Sequence, residues 1–273
     1  MLVRPRTAPA PNPLQAEELV RGIAAGGSAV VALSGGVDSA VVAHLAFAAL
    51  GPNAHALTLT GAAVSSDEVD RARRVARRIG IDHHLVVADP LALPEYRANP
   101  SNRCYFCRRT ETRAMLEWGR THGTSQWLDG VHLDDLSDDR PGLVAMDEAG
   151  FLHPLADAGW AKTQVREYAR RVELPNWDAP SDACLASRVA HGHAISAPLL
   201  QRIELAEAAI RGRGYRRVRV RTDGAGARVE VGPEEVGRFS ELSEAEAVAR
   251  AVREAGFEPV TLDPVGYRPR PGA

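Results

Sequence analysis

Ser34-Gly35-Gly36-Val37-Asp38-Ser39 packs two glycines, two hydroxyls and a carboxylate into one turn-sized segment. Glycine lets backbone N–H groups approach an anion closely, and the first turn of a following helix favours phosphate through its open amides and its dipole. Ala29-Val30-Val31-Ala32-Leu33, just before it, is short, apolar and valine-rich, as a buried parallel strand should be. Just after it, Val41, Val42, Leu45, Ala46 and Ala49 recur at helical spacing up to the stop at Gly51-Pro52. In this strand–loop–helix context Ser34, Gly35, Gly36, Asp38 and Ser39 are expected to hold the phosphates of ATP. A Walker A loop would add a lysine for γ-phosphate transfer, and this segment has none.

Sulfur supplies a second chemistry. Cys104 and Cys107 make a C-x2-C pair in Asn102-Arg103-Cys104-Tyr105-Phe106-Cys107, and Cys184 completes a total of three cysteines. Three thiolates plus an imidazole can bind zinc, and three alone can hold a [4Fe–4S] cluster with one iron uncapped. Three unrelated buried thiols are the plain alternative, and the count is too low for a disulfide scaffold. Asp129-Gly130-Val131-His132-Leu133-Asp134-Asp135 is acidic and loop-like, so Gly130 and Asp134 are expected beside the nucleotide with Mg2+. The same carboxylates equally suit a helix cap or a solvated loop.

Two basic features complete the set. Arg217, Arg219 and Arg221 alternate with Val218 and Val220, which places three guanidiniums on one strand face. Such a face can grip phosphate, or it can lie in solvent balanced by Glu230. Lys162 is the only lysine among 33 basic residues, which suggests a task that arginine cannot perform.

The elements that must position these groups alternate. His55 to Thr60, His84 to Val87 and Gln126 to Asp129 read as strands, and Ser65-x-x-Glu68 opens a helix with Val69, Ala72, Ala76 and Ile79 inward. Alternation of this kind predicts an α/β, doubly wound parallel sheet, with ligands at the carboxyl ends of its strands. Beyond residue 190 the pattern changes to a helix over Leu199–Ile210, a hairpin about Thr222–Gly226, a helix near Glu244–Ala255 and a strand near Pro259–Leu262. The expected organisation is a disordered lead-in (1–13), a nucleotide domain (14–189), a smaller C-terminal α+β domain (190–263) and a tail (264–273).

Composition narrows the function classes. A net charge of −2 gives no global electrostatic case for nucleic acid. No run of eighteen apolar residues occurs, so no membrane span is expected, and a cytoplasmic location follows from the cysteine usage and the proline-rich start.

Taken together, the motifs resemble the LarE family of PP-loop ATPases (HUP-like fold), ATP-dependent sacrificial sulfur transferases. The resemblance runs from about residue 28 to 240. It rests on SGGVDS at Ser34, NRCYFC at Asn102, DGVHLDDLSDDRPG at Asp129, HPLADAGWAKTQVREYAR at His153, LPNWDAPSDACLASR ending at Arg188, and RVRVR at Arg217. It departs from the family at Val131-His132, where Thr-Asn is usual, and at Ala190-His191-Gly192-His193, where Pro-Tyr-Gly-Thr is usual.

What the resemblance implies is an AMP-forming sulfur transferase acting on pyridinium-3,5-biscarboxylic acid mononucleotide, in the biosynthesis of the nickel-pincer nucleotide of lactate racemase. It makes Cys184, Asp38 and Arg188 catalytic, and it places Ser187, Arg188, Arg219, Arg221 and Glu230 about the substrate phosphate. Cys104, Cys107 and Cys184 match a subset of the family in which three cysteines carry a [4Fe–4S] cluster. A homo-oligomer is implied, with a small-molecule nucleotide as partner and no nucleic acid. The rival readings are a PP-loop tRNA thiolase, an amidotransferase or NAD synthetase, and a non-catalytic sulfur or metal carrier.

Overall fold

The computed structural model describes residues 16–137, 140–180 and 183–268. These form two compact units: one of 16–60, 66–88 and 108–180, the other of 61–65, 89–107 and 183–268. The elements run α1 (Ala16–Ala24), β1 (Ala29–Ala32), α2 (Val37–Leu50), β2 (Ala54–Thr60), α3 (Ser66–Ile79), β3 (Asp82–Val87), α4 (Pro94–Arg97), α5 (Arg103–Thr121) and β4 (Gln126–Leu128). Then follow α6 (Pro141–Glu148), α7 (Pro154–Asp157), α8 (Lys162–Arg171), α9 (Ala197–Arg211), β5 (Val218–Thr222), β6 (Ala227–Val231), α10 (Leu242–Glu254) and β7 (Val260–Leu262).

The first unit is the expected doubly wound sheet. Its strand order is β3-β2-β1-β4 and every pairing is parallel. β1 is buried on both sides, as its unbroken AVVA sequence requires. Alternation divides it: Ala29 and Val31 join a core with α1, α2, α3 and α8, whereas Val30 packs with Leu57, Met115, Met146 and Phe151 on the other face. α2 buries Val37, Ala40, Val41, Val42, Ala43, Leu45 and Ala46, so it is apolar nearly all round and lies deep in the unit.

In the second unit β5 and β6 form the expected antiparallel hairpin, and β7 adds to β6 in parallel. Leu199, Leu200, Ile203 and Ile210 of α9 and Val248 and Val252 of α10 close its core over Val218, Val220, Val229 and Val231.

The units divide elsewhere than the sequence boundary at 189/190 suggests. Ala63, Tyr96, Leu185 and Ala186 share one buried cluster with the strands of the second unit. Backbone bonds join Leu185 N–H to Ala63, Ile195 N–H to Arg97 and Gly192 N–H to Asn99. Residues 61–65 and 89–107 are therefore excursions from the nucleotide domain, recruited by pairings that no local pattern encodes. The lead-in 1–13 and residues 269–273 of the tail lie outside the described residues. Tyr267 is no loose tail residue: its N–H bonds Val231 O at 2.7 Å. Among the described residues no helix is long and apolar enough to cross a membrane.

Candidate nucleotide and sulfur sites

The loop after β1 is held in one conformation by its glycines and its own hydrogen bonds. Gly35 has φ +80°, and a Cβ there would stand 2.7 Å from Glu68 O and 3.0 Å from Ala72 N, so the α3 backbone admits only glycine. Ser39 Oγ donates to Gly36 O at 3.1 Å and accepts from Ser34 N–H at 3.2 Å, which folds the loop back on itself. Asn176 Nδ2, from a buried side chain, holds Gly35 O at 2.9 Å. With the loop so fixed, the amides of Val37, Asp38 and Ser39 in the first turn of α2 have no acceptor within the helix, which is the arrangement that suits an anion. Gly130 lies against that turn: a Cβ on it would be 2.6 Å from Ser39 N and 2.8 Å from Asp38 C.

Lys162, singled out by composition, reaches this loop. Its Nζ donates to both Asp38 carboxylate oxygens at 2.7 and 2.5 Å, and its own N–H donates to Asp134 Oδ2 at 2.9 Å. Asp38 and Lys162 are 124 residues apart in sequence, and the first turn of α8 brings the amine across. The Lys162 side chain is about a quarter exposed (26%), so its amine is accessible from solvent. His132 is buried beside the pair, with Nε2 3.9 Å from Asp38 Oδ1 and 3.5 Å from Asp135 Oδ2, and its Nδ1 has no hydrogen-bond partner among the described residues.

Asp129, at the end of β4, is buried. Its Oδ1 accepts from Val131 N–H at 3.0 Å and pairs with His153 Nδ1 at 2.8 Å, while His153 Nε2 pairs with Asp147 at 2.8 Å. Burial opposes a charge on His153, but the carboxylates of Asp129 and Asp147 outweigh it and raise its pKa above the usual histidine value. A raised folded pKa gives stability that is fully present below about pH 6.5 and is lost as pH rises through the folded value. The stability gap between the protein and a His153→Gln variant is therefore expected to shrink from pH 6 to pH 8.5 in thermal melts. A gap independent of pH would contradict the charged assignment.

The sulfur-bearing segments belong to the second unit. Cys104 is exposed and Cys107 and Cys184 are partly buried, and none is in a disulfide. Cys104 and Cys107 stand one turn apart at the start of α5, on one face. Cys107 and Cys184 pack against the same apolar cluster. Asn99 ties the start of α5 to residues 189–193. It is fully buried at φ +53°, its Nδ2 donates to Ala190 O at 2.8 Å and His193 O at 3.0 Å, and its Oδ1 accepts from Arg103 Nη1 at 2.7 Å.

Arg188 does not stand ready for a phosphate as expected. It is 2% exposed, its Nε and Nη2 donate to Glu207 at 2.8 and 3.0 Å, and its Nη1 bonds Ala183 O, Cys184 O and Ser187 Oγ. Its three nitrogens are each engaged by the chain, and Nη1 ties it to the backbone of the Cys184 segment. Arg221 pairs with Glu230 at 2.8 Å and also donates to Ser187 O at 3.2 Å, and Arg228 holds the other oxygen of Glu230 at 2.9 Å. Arg219 is buried, with its guanidinium 5.3 Å from the Tyr267 ring centre. The arginine strand is thus largely covered rather than a solvated face.

An asparagine synthase family model matches residues 21–101, the part of the chain that carries the loop. The synthase of pyridinium-3,5-bisthiocarboxylic acid mononucleotide from Lactiplantibacillus plantarum is 30% identical over 87% of this chain and 86% of its own. This chain belongs to the LarE family. An uncharacterized protein of Synechocystis sp. is 40% identical over 88% of this chain and 90% of its own. The NMN synthetase structure from Francisella tularensis shares the fold at TM-score 0.51 and 21% identity, covering 62% of this chain and 76% of that one.

LarE membership makes the chain an ATP-using, nucleotide-modifying PP-loop enzyme. The structure brings Ser34, Gly35, Gly36, Asp38, Ser39, Gly130 and Asp134 together in the first unit, and Cys104, Cys107, Cys184, Ser187, Arg188, Arg219, Arg221 and Glu230 in the second. Asn176, His153, Asn99 and Glu207 were not singled out by sequence. The left-handed tolerance of asparagine is the one local signal that bears on Asn99.

Proposed function

We propose that this chain converts a carboxylate of pyridinium-3,5-biscarboxylic acid mononucleotide to a thiocarboxylate at the expense of ATP. The observation that carries the reading is the Asp38–Lys162 pair over a phosphate loop that has no lysine of its own. Such a loop cradles pyrophosphate as a leaving group rather than directing γ-phosphate transfer. A substrate carboxylate oxygen attacks the α-phosphorus, the α–β bridging bond breaks, and pyrophosphate leaves on the loop amides and Lys162. The acyl-adenylate then carries AMP as its leaving group. Sulfur attacks the acyl carbon, the C–O bond to AMP breaks, and a thiocarboxylate remains.

Asp134, with a side chain 55% exposed at the loop edge, suits Mg2+ that arrives with the nucleotide, because Mg2+ takes few protein carboxylates and several phosphate oxygens. Arg219, Arg221, Ser187 and Glu230 are assigned to the substrate phosphate, with Arg221 changing partner from Glu230 to the ligand. Arg188 keeps Cys184 in place.

For the sulfur source, the three thiols share one unit and two of them flank one apolar cluster. That donor set fits a [4Fe–4S] cluster held by Cys104, Cys107 and Cys184, which would supply a transferable sulfide when bound. The reading extends to a cytoplasmic homo-oligomer whose product serves a nickel-pincer enzyme such as lactate racemase.

Anaerobically purified protein is expected to hold about four iron and four acid-labile sulfide per chain. It is also expected to release pyrophosphate only with the dicarboxylate nucleotide. Iron near zero after reconstitution, with dehydroalanine at position 184 after turnover, would instead make Cys184 a consumed donor. Pyrophosphate release that depends on tRNA would overturn the substrate assignment.

A further inference from the structure

We propose that His55, Asp82 and His84 bind one divalent transition-metal ion of the zinc class, at a site made of residues other than the nucleotide loop and the cysteines. Register places them together. His55 on β2 is paired directly with Asp82 on β3, and His84 follows Asp82 by two residues, so all three side chains leave the same sheet face. Asp82 Oδ2 lies 3.1 Å from His55 Nδ1 and 2.8 Å from His84 Nε2. Among the described residues these are the only three His, Cys, Asp or Glu side chains whose ligand atoms all fall within 4.8 Å of one another.

The spacing suits an ion. Zinc binds imidazole nitrogen and carboxylate oxygen at about 2.0–2.2 Å, so neighbouring ligand atoms of a tetrahedral site stand roughly 3.3–3.6 Å apart. An ion can therefore sit among the three ligand atoms once the 3.1 and 2.8 Å contacts to Asp82 open by about 0.2–0.8 Å. Two imidazoles with one carboxylate favour zinc, cobalt and nickel over the hard cations Mg2+ and Ca2+.

The rings are already oriented. The Trp118 indole lies 5.4 Å from His55 and 4.8 Å from His84, centre to centre, and is stacked on His122 at 3.8 Å. His122 is held in turn by a 2.8 Å bond between its Nδ1 and Trp118 O. Asp82 and His84 side chains are 55% and 37% exposed, so an ion enters from solvent and keeps a coordination position for water.

Location sets the role. The nucleotide loop follows the carboxyl end of β1, whereas His55 lies near the amino end of β2, and the two strands are parallel. The ion would clamp the β2–β3 edge at the end of the sheet remote from the chemistry.

Chelator-stripped full-length protein, titrated with Zn2+ against a chromophoric competitor and with Co2+ by visible absorption, tests the site. One equivalent should bind, with nitrogen- and oxygen-type Co2+ bands and a raised thermal midpoint. Binding should persist in a Cys104→Ser, Cys107→Ser, Cys184→Ser triple variant. His84→Ala and Asp82→Asn should each weaken it by at least about tenfold, and circular dichroism should report both as folded. Absent stoichiometric binding, binding indifferent to both variants, or binding lost with the cysteines would each overturn the proposal.

Discussion

Lys162→Ala is expected to slow pyrophosphate release by roughly 10²–10³-fold, the range seen when one preorganised group facing developing charge is removed. The ammonium of Lys162 is already fixed by both Asp38 oxygens at the mouth of the loop, so it costs no reorganisation when negative charge builds on the departing pyrophosphate. The loss should fall on kcat at saturating ATP more than on KM, because the interaction strengthens as the leaving group departs. Lys162→Arg should not restore the rate. A guanidinium can still pair with the Asp38 carboxylate, but it is wider and spreads its charge over a plane instead of presenting a compact point charge to the leaving group, and the chain uses arginine at every other basic position. A kcat within about threefold of wild type in the alanine variant would remove Lys162 from the mechanism.

Glu207→Ala carries the largest expected cost to stability, about 3–5 kcal/mol, because it strands a buried cation. Glu207 is fully buried and accepts from Arg188 Nε and Nη2, from Arg211 Nη2 at 2.7 Å and from the Val220 N–H at 3.0 Å. Its removal leaves the Arg188 guanidinium, 2% exposed, without its carboxylate and frees the backbone on which Cys184 sits. Thermal midpoints should fall by about 5–15 °C, and Glu207→Gln, which keeps the shape and an acceptor, should fall by less. A midpoint change of about 2 °C or less in Glu207→Ala would show that the pair is solvated in solution.

The local parts of this molecule were legible in its sequence. β1, β2, α2, α3 and the β5–β6 hairpin follow from periodicity and from glycine and proline punctuation, and the loop at Ser34 follows from its glycines between a strand and a helix. α5 and α8 were not read as helices. The apolar positions of α5 are interleaved with arginines and cysteines, so no clean stripe marks it. Long-range pairings were hidden for a different reason. The contact of Lys162 with Asp38, the transfer of 61–65 and 89–107 to the second unit, and the capture of Arg188 by Glu207 depend on which segments meet in three dimensions. Composition pointed to Lys162 without showing where it goes. For Arg188, the family resemblance implied a phosphate contact, and its burial against Glu207 could not be read from sequence.

The solitary lysine has an analytical consequence. Apart from the α-amino group, Lys162 offers the only primary amine in the chain. An amine-selective acylating reagent therefore reports on one side chain, and mass spectrometry reads its modification as a single peptide. Occupancy of the phosphate loop thus becomes a protection measurement, taken on unlabelled protein without any engineered probe.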